Sequence, residues 1–186
     1  AALIGEPVQG AGGVIIPPDT YWPEIQRICD EYGILLISDE VITGFGRLGE
    51  WFGADYFGTK PDLMPFAKGV TSGYLPLGGV LVGDRVADAM IDKGGEFFHG
   101  YTYSGHPVAA AAGIAALDAY VEEGTFEQSR ALESHFEEAL HSLGDHPLVT
   151  DVRNFGLMGG VDVAPRPGAI GARGLEVHKK CFWEED

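Results

Sequence analysis

The chain has 186 residues, with 12 basic and 28 acidic side chains and a formal net charge of −16 at pH 7. That balance excludes nucleic acid and anionic membranes as partners, since both need a basic face, while 45 % hydrophobic and 22 % charged residues describe a globular chain. Two cysteines, Cys29 and Cys181, are too few for a disulfide scaffold and fit a reduced, cytoplasmic setting. The longest apolar stretch, Pro107 to Leu117, is too short for a bilayer, and no signal peptide pattern opens the chain. The first residue is Ala1, and Trp183-Glu184-Glu185-Asp186 follow a helix-like run without a stop signal, so both ends read as cut.

Ala1 to Gly5 predicts a buried strand, ended by Glu6-Pro7 because the residue before proline leaves the helical region. Gly10-Ala11-Gly12-Gly13 is a loop. Asp19 or Thr20 then caps a helix with Ile25, Ile28, Cys29 and Tyr32 on one face, and Gly33 stops it. Ile34 to Ile37 follows at once, a continuous apolar run typical of a parallel strand buried on both faces. Leu63 to Ala67 and Leu77 to Val82 are further strands, and the alternation predicts an α/β layer fold with right-handed crossovers. After His106-Pro107 the pattern changes. Val108 to Glu123 is a helix with Ile114, Leu117, Tyr120 and Val121 on one side, stopped by Gly124. Phe126 to Leu143 is another, with Leu132, Phe136, Leu140 and Leu143 at helical spacing. Leu148 to Arg153 and Gly160 to Val163 read as strands of a smaller α+β unit, and Leu175 to Glu184 as one more helix. A domain boundary falls near Tyr120 to Thr125.

Asp39 and Glu40 sit just after the strand Ile34 to Ile37, where open α/β sheets place their ligand crevice. A partly desolvated acid there needs a cationic partner; an acid capping the next turn is the competing reading. Lys68 also ends an apolar strand, and a lysine held in an apolar crevice is a nucleophilic amine suited to Schiff-base chemistry. For a lone lysine a snorkelling surface position would be favoured, but Lys68 and Asp39 both fall at strand ends. Gly44-Phe45-Gly46-Arg47-Leu48-Gly49 has the wrong spacing for a dinucleotide loop and reads as a close-packed turn. Tyr101-Thr102-Tyr103-Ser104-Gly105 offers hydroxyls and backbone N–H groups for a phosphate, or is a polar hairpin loop. The six histidines are scattered, with His106 and His146 before prolines, so no zinc or other metal site is expected. There is no Gly-x-Ser-x-Gly elbow, and Cys29 falls on a buried helix face as inert core.

These segments together resemble the class III aminotransferases, pyridoxal-phosphate enzymes of fold type I. The resemblance rests on Glu6-Pro7-Val8-Gln9-Gly10, Pro17-Pro18 with Tyr21-Trp22, Leu35 to Val41, Gly44 to Gly49, Lys60-Pro61-Asp62-Leu63, Ala67-Lys68-Gly69 and His99 to Pro107. Their order and spacing match from end to end, and the subgroup most resembled is the ω-amino acid:pyruvate transaminases. The resemblance implies that residues 1–120 are part of the large αβα domain with a mainly parallel sheet. Residues 121–186 would then start the smaller α+β C-terminal domain.

The same resemblance assigns roles residue by residue. Lys68 matches the lysine that holds the cofactor as a Schiff base and shuttles a proton at the substrate carbon. Asp39 matches the acid paired with the pyridine nitrogen, which keeps that nitrogen protonated. Val41 matches the residue packed on the ring face. Thr102 matches the threonine that reaches the cofactor phosphate of the partner subunit, with the backbone near Tyr101 assisting. Glu6 matches a glutamate near the substrate end that in some members pairs with a mobile arginine. Ile42 stands where relatives that use 2-oxoglutarate have glutamine, which points to pyruvate as acceptor, and Leu48 stands where threonine is common. A homodimer or tetramer is implied. The family's chain is more than twice as long, with a phosphate-binding loop before this segment and a carboxylate-gripping arginine after it, so the 186 residues alone are expected to be inactive. Two other readings stand beside this one: an aminomutase of the glutamate-1-semialdehyde type, and a non-catalytic α/β module with an acidic surface.

Overall fold

The computed structural model describes residues 1–183. Four short strands form the main sheet in the order β1 (Ala2–Gly5), β2 (Leu35–Ser38), β3 (Leu63–Phe66) and β4 (Gly79–Val82). β1 pairs with β2 and β2 with β3 in parallel, while β4 runs antiparallel to β3. The sheet is therefore mainly parallel, as its short apolar runs, the first two separated by a helix, imply.

Helix α1 (Tyr21–Tyr32) connects β1 to β2. Its capping differs from expectation. Thr20 makes no side-chain cap hydrogen bond, and the entry is instead held by Tyr21 N–H donating to the Pro18 carbonyl at 2.8 Å. Gly33 does end the helix, in the left-handed conformation with φ 62°, which glycine adopts without steric cost. The face that packs carries Trp22 and Cys29, buried against Leu36 of β2, with Ile25 beside them; Tyr32 points to solvent. The Trp22 indole N–H donates to the Pro7 carbonyl at 2.9 Å, fixing α1 over the end of β1.

A second buried cluster, Val8, Val14, Leu48 and Met158, joins the loop after β1 to a hairpin near the C-terminal end of the chain, and Phe57 touches both clusters. That hairpin is β5 (Val149–Phe155) with β6 (Met158–Val163), antiparallel. Each strand is two residues longer at the turn than the apolar pattern alone indicates. Two helices precede it, α4 (Pro107–Glu122) and α5 (Thr125–His141), and α6 (Ala172–Trp183) follows; the expected last residue of α6, Glu184, lies outside the described residues.

The packing face of α4 corrects half of the sequence reading: Leu117 and Tyr120 are half-buried as expected. Ile114 and Val121, expected to face inward, are 62 % and 65 % exposed. Ala109 and Gly113 are buried instead, because small residues let the helix backbone approach the turn at Lys68–Thr71 closely. A Cβ on Gly113 would lie 2.8 Å from Leu77 Cδ2. On α5, Phe136 and Leu140 pack against Gly159 of β6, while Leu132 and Leu143 are about half exposed. Two helices escaped the reading, α2 (Gly53–Phe57) and α3 (Asp84–Lys93). The first is too short for a periodic pattern. The second did carry a signal, an acid in its first turn and Lys93 in its last. No helix among the described residues is long and apolar enough to cross a membrane.

Cys29 is 1 % exposed. Burial pushes its thiol up, and the Asp30 and Asp62 carboxylates add to that, so the reactive thiolate is scarce at neutral pH. Cys181 is free and exposed. A maleimide probe is therefore expected to label only Cys181 in the native chain, with Cys29 labelled after unfolding in urea. Peptide mass spectrometry that found rapid native labelling of Cys29 would contradict this packing.

Candidate active site

The carboxyl ends of β2 and β3 lie side by side, and they position two acids and a lysine. The Asp39 N–H donates to the Gly5 carbonyl at 2.9 Å and the Glu40 N–H to the Pro65 carbonyl at 3.0 Å, so the sheet pairing continues past the ends of the strands. The two carboxylates then diverge. Asp39 is half-buried. Its Oδ1 accepts from the Val41 N–H at 3.1 Å, and its Oδ2 accepts no hydrogen bond among the described residues.

Glu40 is completely buried and has four donors. Oε1 accepts from the Ser38 hydroxyl at 2.8 Å and the Ala54 N–H at 2.8 Å. Oε2 accepts from the Thr43 hydroxyl at 2.5 Å and the Gly53 N–H at 2.8 Å. No cation pairs with it among the described residues, which corrects the expectation that both acids need one. The free N–H groups at the start of α2 and two hydroxyls fill the carboxylate's acceptor sites instead. Gly53 is required here, since a Cβ would lie 2.5 Å from Pro7 Cβ and 3.2 Å from Glu40 Oε2.

Lys68 follows β3 and opens a 3₁₀ turn, Lys68–Thr71. It lines a cavity of about 600 Å³ together with Val41, Ile42, Arg47, Tyr120 and Met158. Lys68 is exposed, so it stands at the rim of this cavity rather than enclosed in an apolar crevice. The non-glycine residues with left-handed backbone are Val14 (φ 55°), Phe45 (63°), Lys68 (47°) and Ser72 (51°), and all four lie on this one wall. Such conformations cost of order 1–3 kcal/mol each and collect at functional sites. No acidic side chain lines the cavity. A larger groove of about 860 Å³ runs beside α4, lined by four alanines with tyrosines and hydroxyl residues, and it holds no lysine.

Side chains from distant parts of the chain hold the wall in place, and sequence reasoning missed them. The Ser129 hydroxyl donates to the Gly46 carbonyl at 2.5 Å, and Arg130 donates to the Gly49 carbonyl. Arg153 donates through Nε to the Gly13 carbonyl at 2.8 Å and the Val14 carbonyl at 3.2 Å. It also pairs with Asp151 and, at 2.9 Å, with Asp162. The Gly44–Gly49 segment is the close-packed turn its glycines suggest. The ties to the Gly46, Gly49 and Gly13 carbonyls leave no signal in sequence spacing, because each links residues more than 80 positions apart.

The structure brings Lys68 and Val41 onto one wall, with Asp39 two residues before Val41. Glu6 does not line that cavity; its Oε2 accepts from the Gly10 N–H at 2.8 Å and shapes the loop that does. Tyr101 and Thr102 lie in an exposed loop before α4 and are not on the Lys68 wall.

The model of the family "Aminotransferase class-III" matches residues 1–176. The chain is 50 % identical to an omega-aminotransferase of Caulobacter vibrioides over 99 % of this chain and 43 % of that protein. It is 52 % identical to a putrescine–pyruvate aminotransferase of Pseudomonas aeruginosa over 88 % of this chain and 36 % of that one. Among solved structures, an (S)-enantioselective omega-transaminase of Thermomicrobium roseum superposes with a TM-score of 0.84 at 52 % identity, covering 88 % of this chain and 37 % of that chain. The chain thus spans well under half the length of these relatives.

The Glu40 geometry gives a direct stability test. Four donors converge on two oxygens, so an amide in place of the carboxylate turns an NH₂ toward groups that cannot all accept. Glu40→Gln is expected to lower unfolding stability by about 1–3 kcal/mol, read as a fall in urea midpoint. An unchanged midpoint would contradict the clamp.

Proposed function

The chain belongs to the class III aminotransferases, and from that membership we propose that the full-length protein transfers an amino group from an amine or ω-amino acid to pyruvate, with pyridoxal 5′-phosphate held at Lys68. The observation that carries this reading is the strained Lys68 turn on a cavity wall shared with Val41, with one Asp39 oxygen left free. These residues fit the cofactor. A cavity of about 600 Å³ is of the size that small-molecule sites have. Its wall presents an amine and no competing carboxylate, and Asp39, two residues before the lining Val41 and not itself on that wall, keeps Oδ2 as an unfilled acceptor suited to a cationic ring nitrogen.

When bound, pyridoxal phosphate supplies an aldehyde carbon for amines and an electron-withdrawing pyridinium ring. The protein supplies the rest. The Lys68 Nζ binds the group and then moves a proton at the substrate carbon, as base and as acid. Asp39 Oδ2 holds a proton at the pyridine nitrogen, while its Oδ1 is fixed by the Val41 N–H. Val41, which lines the same wall as Lys68, would hold the ring. Glu6 orders the Gly10 loop near the substrate end. Ile42 gives that end an apolar wall, which suits a small keto acid such as pyruvate better than one with a second carboxylate. Three of the relatives are named as pyruvate aminotransferases, and an aminomutase is not favoured.

Thr102 and Tyr101 complete the proposal from the other side. Both are exposed and away from the Lys68 wall, which suits a phosphate contact made to the partner subunit in a homodimer or a tetramer. Residues 1–120 belong in this reading to the cofactor-binding domain and 121–186 to the start of the C-terminal domain. The two free cysteines suit a cytoplasmic setting.

Two variants of the full-length protein test the roles. Lys68→Ala is expected to abolish the borohydride-trapped mass increment of pyridoxal phosphate and to lower kcat by at least about 10²-fold. Retention of both would remove Lys68 from the chemistry. Asp39→Asn is expected to keep that increment but to lower kcat by about 10- to 100-fold, the loss of a charged hydrogen bond. Activity equal to the unmodified protein would sink the pyridine-nitrogen assignment.

A further inference from the structure

Lys68 holds a backbone conformation that lysine disfavours, so something outside the turn must keep it there. Inside the turn, the Gly69 carbonyl accepts from the Ser72 N–H at 2.8 Å and the Lys68 carbonyl from the Gly73 N–H at 3.2 Å. These bonds close the turn but do not tie it to the fold. Among the described residues one side chain from another element hydrogen-bonds it. Tyr120, on α4 and 51 positions away, donates its hydroxyl to the Gly69 carbonyl at 2.6 Å.

The Tyr120 ring is itself fixed. It stacks on Phe45, with centroids 6.2 Å apart and planes inclined by 29°, and Phe45 packs in turn on Phe52 and Phe66. Phe45 also presses on the turn, since a Cβ on Gly69 would lie 2.9 Å from Phe45 Cβ. The turn is thus gripped by an aromatic ring on one residue and a hydroxyl on another, and both residues line the cavity with Lys68.

We propose that Tyr120 is a positioning residue for Lys68: its hydroxyl anchors the Gly69 carbonyl and thereby holds the left-handed Lys68 turn that presents the amine to the cavity. The consequence for catalysis rests on the aminotransferase reading, whereas the anchoring does not. Removing the hydroxyl leaves the ring and its packing in place. It frees the turn to relax toward an ordinary backbone conformation, in which the amine is presented differently.

The test is Tyr120→Phe in the full-length protein, with two readouts. In the cofactor-free protein, hydrogen exchange of the amides from Gly69 to Gly73 is expected to speed up about threefold or more, with the amides of α1 unchanged. In the protein loaded with pyridoxal phosphate, kcat is expected to fall about 2- to 10-fold, and the pH midpoint of the visible band that the cofactor gives on Lys68 is expected to move. Unchanged exchange in the turn overturns the anchoring, and with it the proposal, whatever the enzyme does. Faster exchange with an unchanged band midpoint overturns the positioning role and leaves Tyr120 as a packing residue. If the unmodified protein traps no pyridoxal phosphate on Lys68, the aminotransferase reading fails separately, and the exchange result still judges the anchor.

Discussion

A carboxylate shut away from water costs several kcal/mol unless its oxygens are filled, and Glu40 meets that demand with two hydroxyls and two N–H groups from the start of α2. Those four donors come from Ser38, Thr43, Gly53 and Ala54, so one side chain fixes the strand end, the turn after it and the short helix beyond. It also decides the neighbour. Successive residues along an extended strand face opposite ways, so burying Ser38 and Glu40 on one side turns Asp39 to the other. Two adjacent acids therefore end in opposite roles, one as an internal strut and the other as a half-buried acceptor with an oxygen to spare.

The same strut carries strain to the cavity. The Gly44 N–H donates to the Glu40 carbonyl at 3.0 Å, and the next residue, Phe45, is left-handed. Phe45 packs on Phe52, just before α2, and on Phe66, at the end of β3. A chain of rigid contacts thus runs from the buried carboxylate to the lysine turn. Strained backbone persists only where its surroundings over-determine it, and here hydrogen bonds from α5 and from the β5–β6 hairpin supply that over-determination from outside the sheet.

The parts that were legible in the sequence are those set by local chemistry. The strand β2 announced itself as the apolar run Ile34 to Ile37 after a glycine stop, and Lys68 and Asp39 were visible as charged residues at apolar strand ends. The parts that were not legible depend on distance or on shape. Glu40 could be seen as an acid, but two of its donors arrive more than a dozen residues later. Lysine gives no hint of a left-handed φ, unlike glycine. On α4 the large apolar residues marked one face and the small ones another. Ala109 and Gly113 pack together with Tyr120 while Ile114 and Val121 face solvent, because close backbone approach to the Lys68 turn needs glycine and alanine. Arg153 and Ser129 were unremarkable in sequence, and Tyr120 was visible only as one apolar member of a helix side, since only the folded chain brings them to their carbonyls.

The acidity of the chain takes its meaning from where the cations sit. Five arginines, Arg27, Arg85, Arg130, Arg153 and Arg166, form ion pairs with acids. Lys68 and Arg47 form none among the described residues, and both line the cavity, which has no acid on its wall. A net charge of −16 repels anions at long range, within about 10 Å at ordinary salt. The cavity wall itself carries two cations and no acid, and low-dielectric walls strengthen the field of such charges. The keto acid of the proposed reaction is an anion, and it meets a local attraction that the overall charge does not offer. The overall acidity is thus compatible with an anionic substrate because the wall that Lys68 and Arg47 share holds no acid.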